Sequence, residues 1–125
     1  MDQALEQGRR FAALLAAKRW PQLRDLLDPA IDFKGVTPSR LWPAGTADEV
    51  VTGVLQRWFD ATDDIERSLG AEVGRVVDRC WLRYRYEVRN GDGLHRVEQH
   101  GYYDVGDDGR IRRLQLMCAG YRPIG

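Results

Sequence analysis

The chain has 125 residues, 43 % of them apolar and 30 % charged, enough for one domain with a real core and too short for two ordinary ones. Its 19 basic and 19 acidic residues cancel, and they cancel again in each half, 8 against 8 through Thr62 and 11 against 11 after it. That balance argues against a sequence-independent grip on nucleic acid, which needs a cationic excess.

The longest apolar run, residues 11–17, is far short of a membrane span. Arg9-Arg10 stands before it, but acidic Asp2 and Glu6 precede the pair and no small-residue cleavage site follows, so a mature cytoplasmic start is expected. Cys80 and Cys118 lie far apart and form no CxxC, so they read as reduced thiols. With only His95 and His100 beside them, no zinc site is expected. No cofactor motif appears either.

In chain order, Leu5, Phe11, Leu14 and Leu15 predict an amphipathic helix over residues 3–18, with Gly8 as its weak point. Pro21 opens a short second helix that Asp28-Pro29 stops. Residues 31–36 alternate apolar and polar like a short strand. Residues 37–46, with two prolines and a glycine, predict a loop. Thr46-Ala-Asp-Glu49 is a capping box, and Val50, Val51, Val54, Leu55, Trp58 and Phe59 mark the helix behind it. Residues 60–70 are polar. From there the period changes to 2, predicting strands over 71–79, 82–88, 94–105 and 110–121, with turns at Asn90-Gly-Asp-Gly93 and Gly106-Asp-Asp-Gly109. Helices followed by an antiparallel meander predict an α+β fold, a strongly curved sheet wrapped over helices into a cone.

Three stretches carry a resemblance. They are Lys18-Arg19-Trp20 leading into Leu26-Leu27-Asp28-Pro29-Ala30-Ile31, Gly45 before a helix, and Gly101-Tyr-Tyr-Asp-Val-Gly-Asp-Asp-Gly-Arg-Ile111. In these the chain resembles the NTF2-like superfamily, in its SnoaL-like branch, over nearly its whole length. The resemblance implies a cone with a small-molecule pocket, and homodimers paired through the outer sheet face. It leaves the reaction open, because the family spans ketosteroid isomerases, polyketide cyclases, dehydratases, epoxide hydrolases and members without known activity. Compared residue by residue, Lys34 stands where the isomerases carry their proton-shuttling carboxylate. Gly101 stands where they carry a second acid, and no tyrosine precedes Tyr84. The cyclases' histidine has a neighbour in His100, but no aspartate follows in the last strand.

The apolar phase of the strands sets the candidates. It turns Leu82, Tyr84, Tyr86 and Val88, then Val97, Gln99, Gly101, Tyr103 and Val105, then Leu114, Leu116 and Cys118 to the concave side, with Trp58 approaching from its helix. The ligand-pocket candidates are therefore Trp58, Tyr84, Tyr86, Gln99, Tyr103, Leu116 and Cys118. The phenols either hold an oxygenated ligand or fill a core as strand aromatics. The Gln99 amide needs partners from a ligand, a water or a phenol.

Asp32 and His100 are the candidate proton-moving residues. Strict alternation turns His100 outward, and a bulge at Gly101 would bring it in. Asp32 and Lys34 read as an acid/base pair at the mouth or as a solvated strand face. Trp42 reads as a lid or as a plug. Two functions stay in view. One is binding of a small, apolar, oxygen-bearing molecule, with or without a cofactor-free isomerase, cyclase or dehydratase step. The other is a non-catalytic dimeric module. Neither nucleic acid nor membrane is an expected partner.

Overall fold

The computed structural model describes residues 2–124. Helix α1 (Gln3–Ala16) starts on Asp2, whose carboxylate accepts from the backbone of Ala4 and Leu5 at 3.1 and 3.3 Å. It buries Gly8, Phe11, Ala12 and Leu15, one face at helical spacing. Lys18 terminates it in a left-handed conformation (φ 52°) normally given to glycine. Its ammonium reaches the carbonyls of Asp60 (2.6 Å) and Asp63, tying α1 to the loop after the third helix. The second helix, α2 (Trp20–Leu26), carries Pro21 in its first turn, where no amide partner is lost.

Strand β1 (Leu27–Thr37) begins four residues before its predicted start and pairs with β2 (Arg40–Ala44) and β6 (Ile111–Pro123). The expected loop over residues 37–46 thus contains a strand. Pro43 masked it, but β2 is an edge strand, where a missing amide is tolerated. Pro38 and Ser39 (φ 69°) form the tight turn that joins the two strands.

Helix α3 opens on Thr46, whose hydroxyl accepts from the Glu49 amide (3.0 Å). The Glu49 carboxylate reaches one residue past the expected target, to the Gly45 amide (3.2 Å). The helix runs as an α turn (Ala47–Val50), a π turn (Val51–Leu55) and a last α turn (Gln56–Trp58). It buries Val50-Val51, Val54-Leu55 and Trp58-Phe59 in successive pairs.

The meander is β3 (Asp64–Val76), β4 (Arg79–Asn90), β5 (Gly93–Val105) and β6, and the sheet order is β2-β1-β6-β5-β4-β3. β3 starts seven residues before its predicted start. As the other edge strand it leaves most side chains in water, so it lacks the alternation that marks a half-buried strand. Breaks in register at residues 65–71 and where β6 meets β5 bend the sheet. The result is an open, curved α+β cone with one core cluster between the concave face and the helices.

Phenols fasten the two layers together. Tyr86 donates to the Ala12 carbonyl, Tyr103 to Ala4 and Tyr121 to Trp58, each at 2.6 Å. A Cβ at Gly8 would collide with the Tyr103 hydroxyl, so the glycine that weakens α1 as a helix lets it close on the sheet.

The turn between β3 and β4 places Val77 at φ 59° with 92 % of its surface exposed. A β-branched residue there costs about 1–2 kcal/mol and gains no burial in return. Val77→Asn is expected to raise Tm by about 2–6 °C, read by thermal unfolding against wild type.

Candidate functional site

The centre of the concave face holds one side-chain hydrogen bond between strands. Tyr84 and Gln99 are directly opposed across β4 and β5, and the Tyr84 hydroxyl donates to Gln99 Oε1. Tyr84 stacks on Tyr86 (5.0 Å between centroids, 24° between planes) and meets Phe11 at 6.2 Å. Burial, with Tyr86 beside it, pushes the Tyr84 phenol well above its ordinary pKa, so it stays a neutral donor. In this arrangement Oε1 accepts from the phenol, and Nε2 faces away from it. Gln99 has no exposed surface, and its Nε2 has no partner. Cys118 lies opposite Gln99 on β6, its sulfur accepting from the Gly120 amide at 3.4 Å.

A second unpartnered donor stands on α3. Trp58 Nε1 is buried without a partner. Its ring lies over Gly35, where a Cβ would sit only 2.7 Å away, and packs against Phe33 (6.4 Å) and Trp42 (6.1 Å, edge on). Trp42 is half-buried, donates to the Thr37 hydroxyl (2.8 Å) and carries the Arg40 guanidinium 3.6 Å above its ring. The β1–β2 hairpin thus stacks Arg40 and Trp42 against Trp58.

The remaining candidates separate by face. Trp58, Tyr84, Tyr86, Gln99, Tyr103, Leu116 and Cys118 are all buried. Tyr86 and Tyr103 donate to carbonyls of α1, so their hydroxyls are already engaged. Asp32 lies on the outer face beside Arg113 (3.6 Å). His100 also faces outward, its Nε2 2.6 Å from Glu98 Oε2. The β4–β5 pairing runs unbroken through Gly101, so no bulge turns His100 inward. Neither residue touches the Gln99 cluster.

His95 was not singled out by sequence, although it shares the inward phase of Val97 and Gln99. It is 7 % exposed, its Nδ1 is buried without a partner, and its ring meets Tyr121 edge on at 5.7 Å. Burial raises the Tyr121 phenol, and the Asp63 carboxylate beside it raises it further. Asp63 accepts from Asn90 Nδ2 (3.1 Å) and the Asp60 amide (3.2 Å). Among the described residues no three His, Cys, Asp or Glu side chains gather as a metal site. No helix of the described residues is long and apolar enough to cross a membrane.

No family model and no curated protein matches the sequence. Solved structures do match. A candidate isomerase from Bacillus subtilis superposes with a TM-score of 0.76 at 16 % identity, over 94 % of this chain and 89 % of that one. An LEH-like epoxide hydrolase from M. tuberculosis gives 0.69 at 14 % identity, over 93 % and 82 %. A candidate SnoaL-like polyketide cyclase from Shewanella putrefaciens gives 0.67 at 11 % identity, over 94 % and 90 %. The chain has the NTF2-like fold that these proteins share.

Four phenols, Tyr84, Tyr86, Tyr103 and Tyr121, have pKa values raised chiefly by burial. In the unfolded chain they ionise near pH 10, and in the folded one only higher. Their contribution to stability is complete below about pH 10 and is lost as pH rises further. Denaturant titrations from pH 8 upward are expected to show a plateau and then a decline steeper than one proton. Tyrosinate absorbance should rise together with unfolding.

Proposed function

We propose that the cone binds a small, largely apolar molecule through a hydrogen-bond-accepting oxygen. Gln99 Nε2 is the donor, and Tyr84 holds the amide in place. The carrying observation is that fully buried, unpartnered Nε2. An orphaned amide costs about 1–3 kcal/mol, which a bound carbonyl or enolate oxygen would recover. Trp58 Nε1 is a second such donor. Gln99 has no exposed surface, so a ligand reaches it only when part of the helical layer or the hairpin moves; the Arg40–Trp42–Trp58 stack is the candidate lid.

Structural neighbours described as an isomerase and a polyketide cyclase support a reaction of isomerase or cyclase type. His95 is the histidine on the inner face, four residues along β5 from Gln99, whereas Asp32 and His100 face outward. Buried, unbridged Cys80 and Cys118 are in keeping with a reducing cytoplasm.

A stability–binding comparison tests the reading. Tyr84→Phe removes the donor from Gln99 Oε1 and is expected to cost about 1–3 kcal/mol. Tyr84→Phe with Gln99→Met removes both polar groups and is expected to recover that loss. Native mass spectrometry of freshly purified wild type should show a small excess mass that denaturation releases, and the double variant should lack it. A double variant that keeps the mass, or a wild type that never carries one, overturns the assignment.

The outer face supports a homodimer. Its ladder over β3, β4 and β5 carries both signs, paired within the chain: Arg83 with Glu72 (2.9 Å), Arg89 with Glu66 (2.8 Å) and Arg96 with Glu87 (3.6 Å), a surface that a second copy could meet with opposite charges. This reading favours the non-catalytic module equally. Light scattering is expected to give a dimer for wild type and a monomer for Arg85→Glu with Arg96→Glu. A monomeric wild type at micromolar concentration contradicts the dimer.

A further inference from the structure

Asn90 is the chain's only asparagine, and a glycine follows it. It ends β4 and pairs with Gly93 across the two-residue turn Gly91-Asp92. Both ends of its side-chain amide are held. The Asp92 backbone amide donates to Oδ1 at 2.9 Å, and Nδ2 donates to Asp63 Oδ1 at 3.1 Å. Asn90 takes the inward phase of Tyr86 and Val88, so this amide lies off the outer face that a second copy would cover.

The Asp63 contact belongs to a joint between the layers. Asp63 is buried, and its other carboxylate oxygen accepts from the Asp60 amide at 3.2 Å. Its carbonyl accepts from the Lys18 ammonium, just past the end of α1. Its carboxylate stands beside Tyr121, whose hydroxyl donates to the Trp58 carbonyl. Asn90 thus supplies a neutral donor to a buried carboxylate where α1, α3 and the β4–β5 turn meet.

Gly91 leaves this amide open to attack along the chain. It is exposed, a Cβ there would meet open space, and among the described residues its own amide donates no hydrogen bond. Without a side chain, glycine lets its nitrogen swing toward the preceding residue's Cγ at little steric cost. The Asp92 N–H already points at Oδ1, the atom on which negative charge develops during such an attack.

We propose that Asn90 is a site of spontaneous deamidation that releases this joint. The Gly91 nitrogen bonds to Asn90 Cγ, the Cγ–Nδ2 bond breaks, and Nδ2 leaves as ammonia, carrying the proton that the Gly91 nitrogen gives up. Water then opens the cyclic imide at either carbonyl, to aspartate or to isoaspartate. No oxidant or reductant takes part. The product places a carboxylate where the donor stood, against the buried carboxylate of Asp63, and like charges that close repel.

The full native chain is held for days at mildly alkaline pH and sampled by peptide mass mapping and isoelectric focusing. Expected is conversion of the Asn90 amide to an acid, with a new band one negative charge away from the neutral chain. Gly91→Ala, which the open space at Gly91 accommodates, should slow the conversion about ten-fold. Asn90→Asp, the product made directly, should unfold about 3–6 °C below wild type, and also below Asn90→Ala, which loses the donor without adding a charge. Retention of the amide in the native chain overturns the proposal, whether or not the urea-unfolded chain loses it. So does a Gly91→Ala variant that converts as fast as wild type. An Asn90→Asp variant no less stable than Asn90→Ala overturns the release of the joint.

Discussion

Three phenol-to-carbonyl hydrogen bonds hold the helical layer against the sheet, and the interior depends on them. Tyr86 and Tyr103 project from neighbouring strands to different turns of α1, and Tyr121 reaches the last residue of α3. Each carries a large apolar ring into the core and ends on a helix carbonyl. Buried carbonyls and buried hydroxyls are both costly alone, so the pairing satisfies two groups at once. It also sets the depth of the cone, since α1 approaches only as far as Gly8 and Tyr103 allow.

The same bonds decide which polar groups remain for chemistry. A phenol already donating to a helix cannot hold a substrate oxygen without loosening the fold. Tyr84 is the exception in kind, because its partner is Gln99, itself on the sheet. One side of the amide is thereby fixed and the other left open. Gln99 Nε2, Trp58 Nε1 and His95 Nδ1 are the unpartnered buried atoms of the concave layer. The interior thus offers donors, one imidazole and the buried Asp63 carboxylate beside Tyr121, while Asp32 and Glu98 face outward.

The two faces of β5 have different electrostatic character. Inward, His95, Val97, Gln99 and Tyr103 sit in a dry environment where one unsatisfied atom matters. Outward, Arg96 pairs across strands with Glu87 and His100 pairs along the strand with Glu98, both in water, where single ion pairs contribute little and the pattern of charge governs what can dock.

Much of the architecture was legible from residues alone. Period 2 over β4, β5 and β6 set the inward face, because one buried side leaves only one register that hides the apolar residues. The capping box placed the start of α3, and glycine-rich turns divided the meander. The two edge strands were not legible. β2 carries a proline and β3 is largely wet, and a strand without a buried face has no hydrophobic period to read. The facing of His100 was set by alternation, but only the unbroken β4–β5 ladder closed the alternative of a bulge at Gly101. Which phenols are struts and which amide is left open also lay beyond the sequence. Both depend on contacts between residues up to about a hundred positions apart, Tyr103 with Ala4 and Tyr86 with Ala12. Local pattern determines which face a side chain takes, and only tertiary packing determines which partner it meets there.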